Sequence, residues 1–184
     1  MGEFTRLLEA VRGGEPGAVD QVVALTYREL RVLAHQRLQR APRITLLDTT
    51  ALVHECYLRL VRLGELNAPD RARFLGYAAR VMRSIIVDFA RQRLSLRRGG
   101  DALHVTMGTD IPDTAAAAEE ELVRIDDALK ELGRLDERLV RVVEMKYFAG
   151  LTSDEIASAL DVTERTVRRD WQKARVLLHD QLKL

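Results

Sequence analysis

The sequence predicts an all-α protein: two small helical domains joined by an acidic, flexible linker, the second domain carrying a helix-turn-helix. Three observations lead there. Apolar residues recur at helical spacing along most of the chain. Aromatics make up only 5% of residues while apolar residues reach 47%, so the cores are built from Val, Leu and Ala, as in helix packing. Periodicity fails over one stretch, residues 99–118, which holds Gly, Pro, Asp and Thr. The boundaries that follow are 1–98, a linker at 99–118, and 119–184.

Taken in order, Phe4, Leu7, Leu8 and Val11 stand at i, i+3, i+4 and i+7, and Gly13-Gly14 stops that helix. A second helix over 17–40 repeats the stripe through Val19, Val22, Val23, Leu30, Leu33, Ala34 and Leu38, and Pro42 breaks it. A third begins near Thr49 and carries Leu52, Val53, Leu60 and Val61 to Gly64. The fourth and longest, about 71–98, buries Phe74, Leu75, Ala78, Val81, Met82, Ile85, Ile86 and Phe89. Within the linker, short strand-like contacts at 103–105 have weak support. From Glu119 onward three or four shorter helices follow, ending near Leu182.

Charge is distributed in blocks. Residues 71–98 hold eight Arg against one Asp, residues 99–121 hold six acids with no Lys or Arg, and residues 163–175 hold five basic groups against two acidic ones. The net charge of +1 thus hides two basic blocks separated by an acidic one.

The segment LTSDEIASALDVTERTVRRDWQKARVLL carries the clearest chemistry. Thr152 and Glu155 have the spacing of a capping box. Asp161-Val162-Thr163 reads as a short turn, with Asp tolerating a left-handed position and Thr163 capping the next helix. There Val167, Trp171, Ala174 and Leu178 form the buried stripe, so Arg165, Arg168, Arg169 and Gln172 point outward together, flanked by Lys173 and Arg175. Such a helix suits the DNA major groove, where a guanidinium fork pairs with both acceptors of a guanine edge.

In the first domain, Arg73, Arg80, Arg83, Arg91 and Arg93 can neutralise phosphates. Tyr77 is the better candidate for stacking on an extruded base, since Phe74 fits the core stripe. Asp88 is expected to pair with a neighbouring Arg of its own helix.

The segment GLTSDEIASALDVTERTVRRDWQKAR resembles region 4.2 of extracytoplasmic-function (ECF) sigma factors, and LKELGRLDERLVRVVEMKYFAG resembles region 4.1. TALVHECYLRLV is similar to region 2.2, and RARFLGYAARVMRSIIVDFARQRLSLRRGG to regions 2.3 and 2.4. The resemblance implies a sigma factor directing core RNA polymerase to promoters. Leu52, His54, Glu55 and Arg59 would meet the clamp helices of the polymerase's largest subunit. Arg73, Tyr77, Arg80, Arg83, Arg91 and Arg93 would engage and melt the −10 element. Thr163, Arg165, Thr166, Arg168, Arg169, Gln172 and Lys173 would read the −35 element. The linker would thread polymerase channels otherwise used by nucleic acid, which its acidity fits.

The sequence departs from that pattern at Asp48-Thr49-Thr50-Ala51, where family members commonly carry a run of carboxylates. Some branches that lack these acids depend on phosphorylation. Thr50, with Thr49 second, is therefore a candidate target for a Ser/Thr kinase, the competing use being a helix cap. Asp161 stands where Gly is usual and Asp170 where many members are basic, both expected to tune promoter preference.

No Gly-rich phosphate loop and no metal-binding cluster is present, and His54 and Cys56, two apart on a helix, face apart. No cofactor, metal or enzymatic activity is expected. The lone Cys56 fits a reducing compartment, and the start of the chain resembles no signal peptide, so the protein is expected in the cytoplasm. An anti-sigma factor is a further conceivable partner. The alternative function is a helix-turn-helix regulator acting without core polymerase.

Overall fold

The computed structural model describes residues 3–40, 48–63, 68, 70–98 and 113–182, and the 103–105 segment lies outside them. These residues form eight α-helices and no strand: α1 (Glu3–Arg12), α2 (Ala18–Arg40), α3 (Thr49–Leu63), α4 (Arg71–Arg98), α5 (Asp113–Leu135), α6 (Glu137–Val143), α7 (Ser153–Leu160) and α8 (Glu164–Leu182). A π-helical turn, Glu144–Phe148, continues α6.

In the first half, Leu8, Val22, Leu30 and Ala34 of α1 and α2 close on Leu52, Val53 and Leu60 of α3. Phe74, Ala78 and Met82 of α4 complete that core, and Phe74 meets Phe4 edge-on with ring centroids 5.6 Å apart. Each such large side chain contributes about 1.5–3 kcal/mol by leaving water. Cys56 sits fully inside, and burial pushes its thiol pKa up to about 12. After α1 the chain turns through Gly14 at φ 72°, a conformation that a side chain would resist.

The second half differs from expectation at its start. α5 begins at Asp113 and takes in the last six residues assigned to the linker. The reason is local: four successive Ala have the highest helix propensity of any residue. An alanine run carries no apolar stripe, so periodicity alone misses it. α5 then packs Leu129 and Leu132 against Leu139 and Val142 of α6, with Ile156, Val167 and Ala174 of α7 and α8 behind them.

The two halves share one continuous apolar cluster, with α4 as the common wall. Met145 of the π-helical turn lies against Gly76, where an added Cβ would stand 3.1 Å from Met145 Cγ. Ala90 of α4 packs with Ala118, Leu122 and Val123 of α5. Arg37 of α2, itself buried, donates to the carbonyls of Tyr147 (3.0 Å) and Phe148 and stacks over the Phe148 ring at 4.8 Å.

Candidate nucleic-acid interface

The helix-turn-helix has the local geometry its sequence predicts. Thr152 Oγ1 accepts from the Glu155 amide at 3.3 Å while Glu155 Oε2 accepts from the Thr152 amide at 2.8 Å, closing the capping box. The Thr152 amide, and its hydroxyl donating to the same oxygen at 2.9 Å, hold the Glu155 carboxyl below its ordinary value of 4.5. Asp161 takes the left-handed conformation at φ 55°, and Thr163 caps α8 by accepting from the Thr166 amide at 3.2 Å. The Thr163 and Thr166 hydroxyls also lie 2.9 Å apart, so both belong to the cap.

Along α8, Val167 and Ala174 are fully buried, and Trp171 and Leu178 pack against the core. Arg165, Arg168, Arg169, Gln172 and Lys173 are exposed, and the first four border one shallow groove with Thr163 and Thr166. Arg168 and Arg169 keep 69% and 71% of their side-chain surface in water. Asp170 behaves differently. It is almost fully buried and accepts from Arg138 of α6 at 2.7 Å, which pins α8 to the domain instead of facing DNA. The promoter-tuning expectation for Asp170 gives way to this structural role, and Asp161 serves the backbone turn.

The basic face of α4 is brought together, but against the protein itself. Arg73 donates to the Ala159 carbonyl of α7. Arg80 stands 3.8 Å from Glu144, and Arg83 reaches Glu144 at 2.9 Å and also Asp126. Arg91 meets Asp126 at 3.1 Å and Asp127 at 2.6 Å. Arg93 and Arg97 hold Glu119 between them at 3.1 and 2.7 Å. Glu119, Asp126 and Glu144 are buried, and burial raises the Glu144 pKa although Arg83 and Arg80 pull it down. Tyr77 is half-buried and shares a cleft with Arg73, Arg80 and Glu144. Phe74 is wholly inside, as the stripe requires.

On α3, His54 is exposed and Glu55 and Arg59 are half-buried, bordering a shallow groove with Leu58, Ile85 and Phe89. Leu52 is fully buried and belongs to the core, because its position in the helix faces α2 and α4. Arg59 binds Glu55 at 3.2 Å and Asp88 at 2.8 Å, so Asp88 takes its Arg from the neighbouring helix, not from its own. The cap of α3 is Asp48, whose carboxylate accepts from the Ala51 amide at 2.8 Å. Thr49 and Thr50 fall in the first turn, Thr50 exposed. Among the described residues no group of three or more His, Cys, Asp or Glu could hold a metal ion, and no helix is long and apolar enough to cross a membrane.

Sequence reasoning missed Glu119, Asp126, Glu144, Arg37 and Arg97 as partners across the two halves. A signal was there: Glu119, Asp126 and Asp127 recur at i, i+7 and i+8, which is one face of a helix.

A comparison with curated proteins returned no match. The family model described as ECF sigma factor matches residues 1–184. The chain therefore belongs to the ECF sigma factor family, a family of non-enzymatic transcription-initiation factors that work with core RNA polymerase and promoter DNA.

Proposed function

We propose that α8 reads the −35 element, α4 melts and holds the −10 element, and the α3 surface docks on the clamp helices of the polymerase's largest subunit. The observation that carries this reading is the face of α8, where Arg165, Arg168, Arg169 and Gln172 stand exposed together behind a capped helix and a three-residue turn. Arg and Gln at that position suit bidentate readout of base edges. For the polymerase contact the support is the exposed Leu58 and Val61 beside His54, with the Glu55–Arg59–Asp88 ion network at the rim. For −10 DNA it is Tyr77 and the five arginines on one helix. The test mixes the protein with sigma-free core polymerase and scores co-elution and promoter-dependent transcription. Co-elution with specific initiation is the expected result; DNA binding without co-elution would make the protein a regulator that works without polymerase.

The regulatory part of the proposal is phosphorylation of Thr50 by a Ser/Thr kinase, with Thr49 second. Asp48 already supplies the cap, so neither hydroxyl is committed to that use, and Thr50 is exposed. A phosphate there adds about −1.5 to −2 charge at the positive end of α3. Unmodified protein should bind core polymerase poorly and Thr50→Glu should bind better. A Thr50→Ala protein that transcribes like wild type in cells would remove the idea.

A further inference from the structure

An acid stands among the exposed arginines of α8. Glu164, the first residue of the helix, accepts from Arg168 Nη2 at 2.6 Å, across one helical turn. Both side chains are open to water, Glu164 at 45% and Arg168 at 69%. Arg168 borders the shallow groove with Thr163, Arg165, Thr166, Arg169 and Gln172. Arg169 has a different neighbour: it stands 3.6 Å from Asp170, whose carboxylate is buried and already bound by Arg138. An exposed pair at i,i+4 contributes little to stability, so its effect on the arginine itself is what remains to account for it.

We propose that Glu164 is a positioning residue for Arg168 and sets how sharply α8 discriminates between sequences, a role that rests on the −35 reading of α8 given above. By reaching back to Glu164, Arg168 holds its guanidinium over the first turn of the helix, the end that meets base edges in a helix-turn-helix. An arginine left free on its long stem turns to the nearest phosphate, and a phosphate contact carries no sequence information. The Glu164 carboxylate opposes that movement twice, by holding one guanidinium nitrogen and by repelling phosphate oxygens from the same end of α8. It lowers affinity for every duplex while keeping Arg168 for a base. An acid in the first turn also answers the positive end of the helix, but that use acts on stability and not on base preference.

The test is a selection from a duplex library with a randomised window, followed by titration of the best site and its single-base variants. The full chain is used as wild type, Glu164→Gln, Arg168→Ala and the double variant. Both positions are exposed, so all four proteins should fold, which circular dichroism checks. Arg168→Ala should flatten the preference at one position. Glu164→Gln should lower discrimination at that same position by about fivefold or more, within what one bidentate contact supplies. On an unrelated duplex Glu164→Gln should bind more tightly, and its log–log salt slope should steepen by about one as Arg168 turns to a phosphate. In the Arg168→Ala background, Glu164→Gln should leave the preference and the slope where Arg168→Ala put them. A folded Glu164→Gln protein with wild-type preference and slope overturns the positioning role, and so does one that loses only thermal stability. A change of preference that persists in the Arg168→Ala background overturns it too, by making Glu164 the reader. Unaltered preferences in Arg168→Ala itself overturn base reading by Arg168, and the role of Glu164 with it, so that variant tells the two failures apart.

Discussion

α4 and α8 are both long, arginine-rich helices with an apolar stripe on the opposite side, yet they present their charge in opposite ways. On α8, Arg168 and Arg169 stand mostly in water. On α4, Arg83 keeps 14% of its side-chain surface exposed and faces two buried carboxylates. Composition is therefore a poor guide to availability. What decides it is whether another element brings acids at matching spacing, and α5 does so for α4 alone.

The largest expected effect breaks the covered side of this comparison. Glu119→Ala leaves Arg93 and Arg97 without their shared carboxylate and should weaken α5 docking by about 2–4 kcal/mol, somewhat less than for a wholly buried pair because both arginines reach water. Hydrogen exchange should accelerate in the first half of α5 while α8 stays protected. Uniform acceleration through α8 would mean that the two halves do not separate.

On the open side, Arg168→Ala or Arg169→Ala should cost about 1–3 kcal/mol in duplex affinity if the residue reads a base, and should relax preference at one −35 position. Thermal stability should stay within about 0.5 kcal/mol of wild type, as for other exposed positions. A uniform loss over all sequences would assign the residue to a phosphate instead.

Asp170 sharpens the contrast from within α8. Asp170→Asn weakens a bond to Arg138 that is buried on the carboxylate side, at a cost of about 1–2 kcal/mol in stability. Denaturation reads the loss, and the base preference should not move.

The smallest effect concerns the turn that presents α8. Thr152→Ala opens the capping box and should lower stability by about 1 kcal/mol. Glu155 gives the same turn a pH signature. Its folded pKa lies below the ordinary 4.5, so its stabilisation is complete above that value and is lost as pH falls through the depressed one. Glu155→Gln should flatten that part of the acid limb in a pH series of thermal melts.

Much of this architecture was legible in the sequence because the signals are local. The stripe from Phe74 to Ile86, the Thr152–Glu155 spacing and the left-handed Asp161 each follow from residues within a few turns of one another. What escaped depends on pairing over long separations. Arg37 meets Phe148 across 111 positions, and Arg83 meets Glu144 across 61, and neither pairing leaves a mark in local periodicity. The alanine run of α5 escaped for a different reason, since propensity without an apolar stripe resembles a linker. Leu52 shows the limit of transferred roles: its motif places it in a docking helix, while its register points it into the core.

The division of labour between the helices is tested most directly at Tyr77 and Arg80, which lie in one cleft with Arg80 still 55% exposed, so that both can be changed without removing the Arg83 pairs. Permanganate footprinting of a promoter bound by core polymerase and the Tyr77→Ala/Arg80→Ala protein is the measurement. The expected result is retained co-elution with core, retained −35 protection, and loss of thymine reactivity in the −10 region. A footprint equal to wild type would contradict the assignment of melting to this face of α4.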